Sequence, residues 1–177
     1  ADVAYAAGLA TPSPAEIRDT MADKTAHYSL ELPLRAAAIL AGSPDPVVDR
    51  LGAIGRSLGT VFQMRDDLLG VFGRAAETGK SASNDLREGK QTLLVAAARG
   101  TAPWRAVEHL FGQPDLDDEG ADRLRAALEA CGARHRAERA LHDERETTLA
   151  LVDLAGLPAG LSRLLADEVD RAAERRS

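Results

Sequence analysis

The sequence predicts an all-α fold, and three observations carry that expectation. Aromatic residues make up only 3% of the chain, whereas a β-sandwich or barrel draws on Tyr, Phe and Trp as well as Val and Ile. Long runs of Ala, Leu, Arg and Glu, all good helix formers, fill much of its length. The apolar residues Leu51, Ile54, Leu58, Val61, Phe62, Leu68, Leu69 and Phe72 keep the spacing of one helix. At 177 residues, with 45% hydrophobic and 28% charged, the chain suffices for one well-buried domain and is not disordered as a whole.

Each element has its own signals. Ala1 to Leu9 read as the tail of a helix that begins before residue 1 and stops at Gly8. Ser13-Pro14-Ala15-Glu16 is a start signal, with Ser13 as N-cap, Pro14 at the first helical position and Glu16 completing a capping box. The helix it opens is expected to reach Leu40 and end at Gly42, kinked at Pro33, whose ring crowds the Ser29 carbonyl. Pro44-Asp45-Pro46 opens a second long helix that Gly73 closes. From Gly73 to Lys90, Gly and Ser breakers among charged residues predict a long loop holding one helical turn. Thr92 to Ala98, Trp104 to Phe111, Asp117 to His142 and Leu161 to Ala173 follow as helices. With no internal repeat or linker, they form a bundle on short connections.

Charge and cysteine content narrow the setting. Lys+Arg total 22 against 28 Asp+Glu, a formal charge of -6, which argues against a general nucleic-acid or anionic-membrane surface. Cys131 has no intramolecular disulfide partner, and neither a secretory h-region nor an uninterrupted apolar membrane span is present. A soluble, cytoplasmic protein is expected.

The chemistry concentrates on the second long helix. Gln63, Asp66, Asp67 and Gly70 are spaced to share one face, and Gly52, Gly55 and Gly59 leave the same side bare upstream. Each glycine costs roughly 1 kcal/mol of helix propensity, so something must compensate. Close helix packing is the plain explanation. A cavity is the sharper one: bare walls leading to an amide and adjacent carboxylates describe a cleft for a long apolar ligand with a metal-binding mouth. An Asp-Asp pair on a helix is commonly just solvated. Lys24 before Thr25, Lys80 after Gly79 and Lys90 after Gly89 each supply a point charge for phosphate oxygens, and carboxylates holding Mg²⁺ beside such lysines suit a diphosphate.

Taken in order, Lys24-Thr25-Ala26-His27-Tyr28-Ser29, Phe62-Gln63-Met64-Arg65-Asp66-Asp67-Leu68-Leu69, Gly79-Lys80 and Asp85-Leu86-Arg87-Glu88-Gly89-Lys90-Gln91-Thr92 resemble the motifs of the trans-isoprenyl diphosphate synthases, the polyprenyl synthetase family. The resemblance implies an isoprenoid-synthase helical bundle, of which residues 1–177 are the C-terminal part of a single prenyltransferase domain. It implies that Asp66 and Asp67 are the catalytic metal site, Asp66 ligating Mg²⁺ and Asp67 supporting it through water, while Gln63 faces the allylic end. Lys24, Thr25, Lys80 and Lys90 would bind the substrate diphosphate, with Lys24 counted among the catalytic groups. Asp2 matches a further aspartate near the metals. The implied reaction is head-to-tail condensation of an allylic diphosphate with isopentenyl diphosphate, of the geranyl-, farnesyl- or geranylgeranyl-diphosphate synthase type, in a homodimer.

Two departures stand out. Gly70 occupies the place where a third aspartate of the motif is often found. The family's first aspartate-rich motif and its isopentenyl diphosphate site belong to an N-terminal half absent from this sequence. The chain alone is therefore expected to be inactive, with the Gly52-Gly55-Gly59 face left without a partner. The alternative is a non-catalytic interaction or regulatory module derived from a synthase half.

Other patterns are weaker. Asp117-Asp118-Glu119 suits a helix N-terminus, and Ala126 stands where an EF-hand needs glutamate. Gly73 and Gly79-Lys80-Ser81 are spaced wrongly for a phosphate-binding P-loop and follow a helix. His135, Glu138 and His142 share a face, but Arg, Glu and Asp around them mark it as solvated. His27 and His109 receive no role, Trp104 is a packing anchor, and Cys131 a small half-buried thiol.

Overall fold

The structure, a computed structural model, describes residues 16–17, 20, 22–73 and 83–175, and of 22–25 the backbone. The regular elements of these residues are all helical. A π-wound stretch, Ala22–Glu31, leads into α1 (Leu32–Leu40), followed by the long α2 (Asp45–Phe72), the single turn α3 (Asn84–Arg87), α4 (Leu93–Ala98) and α5 (Ala102–Arg105). A 3-10 turn (Glu108–Leu110), α6 (Asp118–Ala130), α7 (Ala133–Leu154) and α8 (Ala159–Glu174) complete the order. None of the described helices is long and apolar enough to cross a membrane.

The helices gather into two compact units, one built on Asp66–Arg139 and the other combining Arg18–Arg65 with Ala140–Arg175. The second unit has its core where α1, α2, α7 and α8 bury Ala38, Val48, Leu51, Ile54, Val152, Ala155 and Leu165. Ser57 donates a 2.7 Å bond to Glu144 and lies 2.7 Å from Thr148, satisfying the polar groups buried beside that core. In the unit built on Asp66–Arg139, α4, α5 and the 3-10 turn pack on α6. Leu86, Leu94, Leu124 and Leu128 are fully buried there. Trp104 is the expected anchor, 2% exposed, with its ring edge on Phe111.

The bare glycine face has a different occupant from the cleft expected for it. Cβ atoms built on Gly55 and Gly59 would lie 2.8 Å from Glu31 Cα and 2.4 Å from Ala26 Cα, so the π-wound helix lies backbone-to-backbone on α2. Gly52 faces the Arg35 side chain. Close packing, and not an open cavity wall, is what these glycines provide, and all three are buried. The expectation that this face lacks a partner is corrected on the same ground.

Local winding also departs from the periodicity. Pro33 stands where the π-wound stretch passes without a break into α1, so the change of winding coincides with the residue that has no N–H to give to a preceding carbonyl. Trp104 to Phe111 is two short turns and not one helix. Asp117 to His142 is broken at Gly132, whose φ of 71° lies in the left-handed region. Asp117 caps α6 through a 2.7 Å bond from the Gly120 N–H, as its acidic start predicted. His135, Glu138 and His142 are exposed, with Glu138 paired to Arg134. Cys131 is half-buried.

Candidate functional site

The last turns of α2 carry Asp66, exposed, and Asp67, buried at 5% exposure. One turn beyond Asp66 comes Gly70, and the room left by its missing side chain is filled. A Cβ built there would stand 2.4 Å from Asp85 Oδ2 and 2.7 Å from its Cγ. Asp85 is delivered by α3, a turn anchored by the fully buried Leu86. The chain then doubles back at Gly89, whose φ of 65° needs a residue without Cβ. This turn is closed by the Lys90 N–H on the Asp85 carbonyl at 3.0 Å. A second glycine backs it: a Cβ on Gly89 would lie 3.1 Å from Gly112 Cα, and the Gly112 N–H donates to the Leu86 carbonyl at 2.9 Å.

That turn aims Lys90 at the carboxylates. Its Nζ lies 2.9 Å from Asp67 Oδ1 and 3.3 Å from Asp85 Oδ2. Burial opposes the charge on Lys90, but Asp67 and then Asp85 outweigh it and hold the ammonium above its usual range. At Asp85 burial dominates and pushes the carboxyl up, Lys90 pulls it down, and Asp66 and Glu88 add to the upward push. Among the described residues Lys90 thus pairs with two carboxylates, Asp67 and Asp85, and Asp66 acts on Asp85.

This donor set fits a hard divalent cation. Mg²⁺ takes oxygen ligands, binds proteins through one or two carboxylates, and fills its remaining positions with water and phosphate. Among the described residues no three His, Cys, Asp or Glu side chains form a ready metal cage, and an ion held in this way needs none. Asp66 offers an exposed carboxylate, and Asp85, close enough for their charges to interact, offers another.

The structure thus brings Lys90 onto Asp67, beside Asp66 on α2. Gln63 lies one turn earlier on α2. Lys24 and Thr25 are on the π-wound stretch, with their side chains outside the described residues. Lys80 and Asp2 lie outside the described residues altogether, as does the Ser13 cap. Sequence reasoning assigned no role to Asp85. It missed Arg125 as well, whose guanidinium reaches the Val71 carbonyl at the end of α2 at 2.7 Å and the Ser83 hydroxyl at 2.9 Å. The sequence shows only the vacancy at Gly70, one turn past an acidic pair, and nothing in it says that Asp85 fills that vacancy.

Comparison with known proteins gives consistent matches. The family model described as polyprenyl synthetase matches residues 5–129. Geranylfarnesyl diphosphate synthase of Aeropyrum pernix is 38% identical over 109 residues, covering 62% of this chain and 34% of that protein. The (2E,6E)-farnesyl diphosphate synthase of Mycobacterium tuberculosis is 42% identical over 107 residues, covering 56% and 29%. Among solved structures, geranylgeranyl pyrophosphate synthase of Corynebacterium glutamicum, complexed with isoprenyl diphosphate and magnesium, superposes with a TM-score of 0.88 at 32% identity. That match covers 97% of this chain and 50% of the other. In these alignments the chain spans about a third of the length of the curated relatives and half that of the solved one.

Proposed function

From the chain's membership of the polyprenyl synthetase family, we propose that it forms the C-terminal part of a prenyltransferase that elongates an allylic diphosphate with isopentenyl diphosphate. The observation that carries the reading is the placement of Lys90 between Asp67 and Asp85 beside the exposed Asp66. A polyanionic substrate and its counter-cation bind together only where acidic and basic groups share one corner.

In this reading Asp66 holds Mg²⁺ with support from Asp67, and the ion supplies neutralisation of the charge that develops on the departing diphosphate. Lys90, Lys80 and Lys24 with Thr25 grip the same diphosphate, placing fixed positive charge where negative charge grows in the transition state. Gln63 turns its amide toward the allylic end. A first aspartate-rich motif and, separately, the groups that bind isopentenyl diphosphate would come from an N-terminal half, which the 177 residues do not contain.

The experiment is incorporation of labelled isopentenyl diphosphate into prenyl product, by the chain alone and mixed with an N-terminal half bearing that motif. Prenyl transfer on mixing, lost in Asp66→Ala, is expected. Two folded halves that associate but give no product would refute the proposal and favour a binding module.

A further inference from the structure

The two segments that meet in the candidate site, the end of α2 and the turn α3, are both held by one side chain of α6. Arg125 is half-buried, and each nitrogen of its guanidinium is engaged. Nε donates to the Val71 carbonyl at 2.7 Å and Nη2 to the Ser83 hydroxyl at 2.9 Å. Nη1 donates to Asp122, one turn back on α6, at 2.6 Å, which fixes the plane of the group. The Val71 carbonyl belongs to the last turn of α2, whose carbonyls have no intrahelical donor. Ser83, 3% exposed, immediately precedes α3.

The guanidinium therefore spans the stretch 74–82. It ties the helix that carries Asp66 and Asp67 to the turn that carries Asp85 and leads to Lys90. At four residues α3 is too short to hold a position by helical winding alone, so tertiary anchors must set it. Leu86 is fully buried, and Arg87 Nε donates to the Leu116 carbonyl at 2.9 Å, just before α6. Arg125 extends that platform to α2. An arginine suits the task because its planar fork serves two acceptors at once, whereas a lysine brings a single ammonium.

We propose that Arg125 is a positioning residue of the candidate site: by holding the end of α2 and the start of α3 on one guanidinium, it sets the register in which the Gly89 turn presents Lys90 to Asp67. The consequence for turnover rests on the prenyl-transfer reading above; the placement does not.

The sequence holds three lysines, Lys24, Lys80 and Lys90. Acetylation of the full chain by acetic anhydride, followed by mass spectrometry, thus reports Lys90 directly, with Lys24 as internal reference. Arg125→Lys keeps the charge and gives up the fork. It should raise the rate ratio of Lys90 to Lys24 at least about threefold, with an unchanged circular dichroism spectrum. Ser83→Ala removes one acceptor and should raise the ratio less, and the double variant should match Arg125→Lys within error. Leu124→Ala weakens the same helix without altering the fork and should leave the ratio unchanged; a merely structural arginine would behave like it. In mixed halves that give prenyl product, Arg125→Lys should lower kcat about tenfold or more, while KM for isopentenyl diphosphate moves less than about threefold. An unchanged Lys90 ratio in both Arg125→Lys and Ser83→Ala overturns the proposal, as does normal turnover in a variant whose ratio has risen. Where no mixture gives product, the prenyl-transfer reading falls and the ratio alone decides whether Arg125 sets the turn. Should Arg125→Lys fail to fold, Ser83→Ala is read in its place and the same outcomes decide.

Discussion

The glycines of α2 allow a graded test, because what a methyl group meets differs from one to the next. At Gly59 an added Cβ would lie 2.3 Å from Ala26 Cβ and 2.4 Å from Ala26 Cα. Carbon atoms prefer roughly 3.5–4.0 Å, so the π-wound backbone must retreat by about 1 Å or more. Overpacking of this kind costs about 1–3 kcal/mol, while replacing a helical glycine by alanine returns about 1 kcal/mol. With backbone as the obstacle the upper part of that range applies, and Gly59→Ala should lose about 2 kcal/mol. For a chain of this size that is a fall of roughly 4–8 °C in Tm. Gly55→Ala meets Glu31 Cα at 2.8 Å and the Leu30 carbonyl oxygen at 2.9 Å, and should lose somewhat less. Gly52→Ala meets only the Arg35 side chain, at 2.8 Å from Nη1. That side chain is paired to Asp49 at the surface, an interaction worth about 1 kcal/mol or less, so this variant should be neutral within error. Thermal and urea unfolding followed by helical circular dichroism read all three. If Gly59→Ala is as stable as Gly52→Ala, the backbone-to-backbone packing described above is wrong.

Other outcomes are expected from the same structure. On the proposed reading, Asp66→Ala in the mixed halves should lower turnover by at least about a hundredfold with an unchanged circular dichroism spectrum, as loss of a metal ligand acting in the transition state would; near-normal turnover would remove the metal assignment. Lys80→Ala should weaken magnesium pyrophosphate binding more at low ionic strength than at high, and a salt-independent loss would argue against a charge contact. Burial raises the Glu31 carboxyl, but bonds from His27 at 3.2 Å and Arg56 at 3.0 Å overcome this and leave it below its ordinary value of 4.5. The sign follows: its stabilisation is present above pH 4.5 and is lost as pH falls through the lowered folded value. Glu31→Gln should therefore be less stable than the unmodified chain at pH 7, with the gap closing in acid; a gap independent of pH would contradict the pairing. Leu124→Ala empties a fully buried position in α6 and should cost about 2–5 kcal/mol in urea unfolding, and a loss within error would place Leu124 outside the core.

Elements with strong local punctuation were legible in the sequence. Pro44 and Pro46 at one end of α2 and Gly73 at the other bracket Asp45–Phe72 closely, and Thr92 caps α4 where the periodicity begins. The break at Gly132 was not, because a lone glycine within a helical pattern is often tolerated and only its left-handed backbone reveals a stop. Nor was the division of Trp104 to Phe111 into two short turns, whose ends meet through the edge contact of the two rings. At the site, the spacing of Asp66 and Asp67 and the Gly89-Lys90 motif singled out residues that the structure places close to one another. The Gly70 and Asp85 pairing was out of reach, since it joins two segments across a loop and leaves no periodicity behind. The glycine face shows the limit of reading one helix alone: missing side chains announce that something comes close, and not whether it is a ligand or another backbone.

The contact of Gly89 with Gly112 has a consequence for how this site tolerates change. Lys90 owes its direction to main-chain atoms: its own N–H on Asp85, and the Leu86 carbonyl that accepts from both Gly89 and Gly112. Main-chain bonds are indifferent to most substitutions, so the side chains between Gln91 and Phe111 are free to drift as long as the core accepts them. Segment length is another matter. An insertion or deletion between these glycines would shift the register in which Gly112 meets Leu86, and that error would be passed to the ammonium of Lys90 without any residue of the site having been altered. Among related chains, substitutions should thus accumulate in this stretch while its length stays constant, and an engineer lengthening a loop here would alter the site from a distance.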